Sequence, residues 1–100
     1  MGEAHFVKIT FEPVSEAEMN VLLSEDERLN DLFSDASTVE YDGYERGRDD
    51  FVMFFYGTNA DTMASLIIPQ LKGIPFASRG VVFKRYGERE GAREETTRLE

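Results

Sequence analysis

The chain has 100 residues, 41% of them apolar and 12% aromatic, which is the size and composition of one folded domain and too short for two independent cores. It has no cysteine, which excludes disulfides, thiolate metal sites and a cysteine nucleophile. Its 20 acids against 11 basic residues give a net charge of −9, concentrated in residues 1–50, and such a field disfavours nucleic acid as a partner, while the lack of any stretch long enough to cross a bilayer argues against a membrane.

Residues His5 to Glu12 alternate, with Val7, Ile9 and Phe11 on one face and Phe6, Lys8 and Thr10 on the other, which predicts a strand with one buried face. Pro13 ends it, and Ser15 with Glu18 has the spacing of a capping box that opens a helix. Met19, Leu22, Leu23, Leu29, Leu32 and Phe33 then recur at helical spacing. Ser24 with Glu27 repeats the capping pattern, leaving either one helix or two short ones divided near Ser24. Thr38 to Glu45 reads as a half-exposed edge strand with Gly43 as a bulge position. A polar turn over Arg46 to Asp50 leads into Phe51, Val52, Met53, Phe54, Phe55 and Tyr56, a strand apolar on both faces that belongs in the interior of a sheet.

Thr58 or Asn59 caps a second helix with apolar positions Met63, Leu66, Ile67 and Leu71, which Pro69 is expected to kink or end close to Ile68. Gly80 to Tyr86 alternates as a fourth strand. Residues 88–100 are strongly charged and hold Leu99 as their only large aliphatic residue, so the expectation is one α+β domain over 1–87 and a disordered tail.

The order strand, helix, strand, strand, helix, strand predicts a ferredoxin-like βαββαβ domain, a four-stranded antiparallel sheet with two helices on one face. Right-handed crossovers place the first and third strands in the middle. Glu40 to Gly43, Phe54 to Gly57 with Ala60 and Asp61, and Tyr86 with Gly87 resemble small uncharacterised bacterial proteins of ferredoxin-like architecture. The likeness covers about residues 37–87; it implies the fold and carries no activity.

Chemistry-bearing motifs are sparse. His5 is the only histidine, so a histidine triad or multi-histidine metal site is excluded within the chain. The acids Glu40, Asp42, Glu45, Asp49 and Asp50 crowd one hairpin without calcium-loop spacing, and a solvated, aggregation-resistant edge is the simpler reading. No phosphate-binding or nucleophile-elbow glycine pattern occurs. We therefore expect no catalytic, cofactor-binding or metal-binding residue and no cofactor. Phe51 to Phe54 echoes the aromatic submotif of RNA-recognition domains, but Asp49 and Asp50 stand where that motif has an aromatic and a small residue, which argues against RNA.

One feature of the third strand does call for a partner. Helices cover one face of such a sheet, yet six consecutive apolar residues point to both. Either Phe51, Met53 and Phe55 or Val52, Phe54 and Tyr56 must line the open face beside Phe6, unless the tail folds back over it. The sequence thus points to a small acidic, cytoplasmic protein-binding or regulatory domain, with an inhibitor or immunity protein as one form. It would associate through that face as a homodimer or with a basic protein. The alternative is a cofactor-free enzyme or ligand-binding domain of the dimeric ferredoxin-like type.

Overall fold

A computed structural model describes residues 4–35 and 38–99. Strand β1 (His5–Phe11) buries Val7, Ile9 and Phe11 completely and leaves Phe6, Lys8 and Thr10 partly exposed, as strand alternation requires. Helix α1 (Glu16–Leu32) opens on the expected capping box. Glu18 N donates to Ser15 Oγ at 3.1 Å, and Ser15 N donates to Glu18 Oε1 at 3.0 Å. The helix is continuous. Ser24 is solvent-exposed within it, and Arg28, paired with Glu25, donates to the side chain and the carbonyl of Gln70, which ties the middle of α1 to the second helix.

Strand β2 (Val39–Arg46) and strand β3 (Phe51–Gly57) form an antiparallel hairpin. Its register shifts between Tyr41 and Tyr44, where Gly43 takes a φ of 99°, so Gly43 is the expected bulge. Helix α2 (Ala60–Leu71) is capped by Asn59, whose side chain accepts from Thr62 N at 3.1 Å. It continues through Leu71, so of the two outcomes expected at Pro69 an end close to Ile68 does not occur. Pro69 removes only its own amide from the ladder, and Lys72 N still closes the last turn on Ile68 O at 3.2 Å.

A short 3-10 turn, Ala77–Arg79, leads into strand β4 (Gly80–Arg85), and a further strand, β5 (Glu94–Arg98), pairs antiparallel with β4. The architecture is α+β, with an antiparallel sheet in the order β2-β3-β1-β4-β5. Two expectations are corrected here. The sheet has five strands and not four, and the segment expected to be a disordered tail supplies the fifth; Glu100 of that segment lies outside the described residues. Leu99, 1% exposed, joins the core cluster and Ala92 is 7% exposed, although the residues between them, Arg93 to Arg98, are all charged or polar. The first strand lies in the middle and the third lies between β2 and β1, the interior placement expected from right-handed crossovers and, for the third, from its apolarity.

Both helices lie on one side of the sheet, α1 over β2 and β3, α2 over β1, β3 and β4. Met19, Leu22 and Leu29 of α1 and Met63, Ile67 and Leu71 of α2 meet Val7, Ile9, Phe11, Phe51, Met53, Phe55 and Val82 in one core. Burying each large apolar side chain contributes about 1.5–3 kcal/mol. Phe33 closes the core edge-on to Phe55, with ring centroids 6.1 Å apart.

Candidate functional site

Cross-strand partners share a face, so the strand register fixes what lies on the sheet surface opposite the helices. One row across the strands is Glu40, Tyr56, Phe6, Arg85 and Glu94. The next holds Phe54, Lys8, Phe83 and Thr96, and the third holds Glu45, Val52, Thr10, Val81 and Arg98. The choice left open by the sequence is thereby decided. Phe51, Met53 and Phe55 are core residues, each 0% exposed, and leave the candidate interface, whereas Val52 and Phe54 are partly exposed and Tyr56 is 37% exposed.

At the centre of this face Phe6 touches three rings, with centroid separations of 5.1 Å to Tyr56, 6.0 Å to Phe54 and 6.2 Å to Phe83. The Lys8 ammonium lies over the Phe83 ring, 5.1 Å from its centroid, a cation–π placement that keeps the charge at the surface while its stem covers apolar area. Arg85 is held by Glu94 and by the carbonyls of Gly87 and Arg89. Lys8, Arg85 and Arg98 thus face Glu40, Glu45 and Glu94, so this surface is close to neutral on a chain of net charge −9. Through its described residues the carboxy-terminal segment extends the sheet in its plane beside β4 and does not fold over the aromatic rings.

A second group of polar side chains gathers on the helix side, at the start of α2. His5 Nδ1 accepts the Ala60 amide at 2.9 Å and its ring meets Tyr86 edge-on at 5.7 Å. Tyr86 Oη donates to Asp61 Oδ1 at 2.6 Å, Lys84 Nζ donates to the same oxygen at 3.0 Å, and Arg93 donates to Glu95 at 2.9 Å while stacking over Tyr86. Hydrogen bonds from Tyr86 and Lys84 hold the Asp61 carboxyl below its ordinary range. Burial and the bond to Asp61 push the Tyr86 hydroxyl up. Burial disfavours the Lys84 ammonium, but the bond to Asp61 and the charges of Tyr86 and Glu95 outweigh it and raise its pKa. Every shift moves the group away from neutrality, opposite to what acid–base catalysis at neutral pH needs. The arrangement acts as a brace joining α2, β4 and β5.

The hairpin acids do not gather. Asp42 borders a recess of about 420 Å³ with Asp26, Asn30, Tyr41, Gly43 and Tyr44, where Tyr41 donates to Asp26 and burial pushes its hydroxyl up. Asp49 instead serves the fold through its carbonyl, which accepts the Val14 amide at 2.8 Å. Among the described residues no three metal-ligating side chains converge.

The structure therefore brings Phe6 together with Val52, Phe54 and Tyr56, and adds Phe83, which the sequence reading did not assign to the face. The alternation around Phe83 is visible in the sequence, but placing it beside Phe6 requires the β1–β4 register. No protein-family model, curated protein or solved structure matches the chain.

Proposed function

We propose that this chain is a protein-binding domain, built on the ferredoxin-like plan with one added strand, that engages another protein chain through the open face of its sheet. The observation that carries the reading is the cluster of Phe6, Phe54, Tyr56 and Phe83, four aromatic side chains gathered on the one sheet face that helices do not cover. Contiguous apolar surface of this kind, rimmed by charge, is how protein interfaces are composed, with aromatic side chains at the centre and polar groups outside. Each ring moved out of water on binding contributes up to about 1.5–3 kcal/mol.

The charges favour a protein over a polynucleotide. Glu40, Glu45 and Glu94 stand among the three cations of the face, so a phosphate backbone would meet as many carboxylates as basic groups. The acids beyond the face would speed encounter with a basic protein, as a regulatory or inhibitor-type domain requires. The absence of cysteine is compatible with a cytoplasmic setting, and among the described residues no helix is long and apolar enough to cross a membrane.

Placing a photo-crosslinking phenylalanine analogue at position 54 in source cells tests this. The expected result is an adduct with one discrete protein, a basic partner or a second copy, that disappears when Phe6 and Tyr56 are changed to serine. Adducts no different from those of the same analogue at Glu27, on the outer side of α1, or adducts mainly with nucleic acid, would overturn it.

A further inference from the structure

We infer that the free edge of β5 pairs with the same edge of a second copy, joining two sheets into one continuous sheet. This rests on the register of β5 and is independent of what binds the aromatic face. Tyr86 N donates to Arg93 O at 2.9 Å and Leu99 N donates to Gly80 O at 3.0 Å, so the odd-numbered residues of β5 bond to β4. Antiparallel bonding alternates, and the amides and carbonyls of Glu94, Thr96 and Arg98 therefore point outward from the sheet. Among the described residues they form a row of unpaired groups, which is a template for another strand.

The sequence along this edge, Glu94-Glu95-Thr96-Thr97-Arg98, is complementary to itself when read antiparallel about Thr96. Glu94 then faces the partner's Arg98, Thr96 faces the partner's Thr96, and Arg98 faces the partner's Glu94. These are the same three residues whose backbone groups are free, so one register satisfies about six interchain backbone bonds and two opposite-charge pairs together. Both side-chain partners have capacity for it. Glu94 meets Arg85 through Oε2, which leaves Oε1 to accept from the partner, and Arg98 has no ion-pair partner among the described residues. The opposite edge is unsuited, because the bulge at Gly43 interrupts the β2 ladder and Glu40, Asp42 and Glu45 line it with acids.

The resulting two-fold axis stands perpendicular to the sheet. Both helix layers fall on one side and both aromatic faces on the other, so a dimer would present the face described above twice on one surface.

Sedimentation equilibrium of the whole chain tests the pairing. The native chain should be dimeric at about 100 µM. Thr96→Pro should be monomeric with unchanged circular dichroism, since it deletes an outward amide and leaves the bonds to β4 in place. Glu94→Arg alone should weaken dimerisation about tenfold, and Glu94→Arg with Arg98→Glu should recover part of that loss, because the interchain pair is exchanged while the bond to Arg85 stays lost. A native chain that stays monomeric to about 1 mM overturns the inference, as does a dimer unaffected by both Thr96→Pro and Glu94→Arg. A dimer abolished by Phe54→Ser and Tyr56→Ser, yet indifferent to the edge variants, would assign self-association to the aromatic face and remove it from the edge.

Discussion

Leu99 follows a run of charged and polar residues, is 1% exposed, and donates its backbone amide to the Gly80 carbonyl. Leu99→Ala should cost about 2–5 kcal/mol, as for a buried leucine elsewhere, and urea unfolding would measure it. Leu66→Ala, at a site 43% exposed on α2, should stay within about 0.5 kcal/mol and serves as the comparison. Glu18 carries a second residue-scale prediction. Its hydrogen bond from Arg79, helped by the Ser15 amide, holds its carboxyl below the usual carboxylate range. A carboxyl whose pKa is depressed by folding stabilises the native state above its unfolded value and loses that contribution as pH falls through the folded one. Arg79→Ala should therefore raise the Glu18 midpoint toward 4.5 in an NMR titration and reduce the acid sensitivity of the fold between its depressed value and that point. An unmoved midpoint would show that Arg79 does not control it.

Among the elements, β5 alters the picture most. Removing residues 88–100 would strip Leu99 from the core, free the edge of β4 and dismantle the brace of Lys84, Tyr86 and Glu95. Truncation after Gly87 should lower the thermal midpoint by more than about 10 °C, given about 4–8 °C per kcal/mol for a domain of this size. A midpoint within about 2 °C of the native one would mean that β5 is only a decoration. The junction of β3 and α2 depends on Gly57. A Cβ there would lie 2.3 Å from the Thr38 carbonyl oxygen and 2.7 Å from Met63 Sδ, so one of those groups must move. Gly57→Ala should destabilise by about 1–3 kcal/mol, the usual cost of overpacking, with the loss visible in chemical denaturation.

For the whole molecule, charge is the controlling quantity. Residues 1–50 hold 14 acids and 4 basic residues, so the amino-terminal half repels itself when folded. The ion pairs among the described residues mostly involve exposed carboxylates and contribute little each. Screening the repulsion should outweigh weakening those pairs. Raising sodium chloride from about 20 mM to about 500 mM should therefore raise the thermal midpoint, and a falling midpoint would show that the ion pairs dominate. Because the open sheet face is close to neutral, chains can approach through it without the full cost of their like charge.

What the sequence determined by itself was local. Val7, Ile9 and Phe11 announced a buried strand face by alternation, Ser15 and Glu18 announced a helix start, and Gly43 announced a bulge, because each of these signals is carried within a few residues of chain. The candidate face was legible as a contradiction in β3, six apolar residues for one helix-covered side, but not as a choice between Phe51, Met53, Phe55 and Val52, Phe54, Tyr56. Only the register of β3 against β1 and the placement of both helices decided it, since a shift of one residue exchanges the two faces of a strand. The structure likewise resolves the choice at Ser24 in favour of one continuous α1, whose Arg28 reaches Gln70, 42 positions away in sequence. The fifth strand lay beyond the reach of local pattern for the same reason. Glu94 to Arg98 contains no apolar residue, and it is ordered by the ladder that β4 offers and by Leu99 beside it, both of which exist only once the chain has folded.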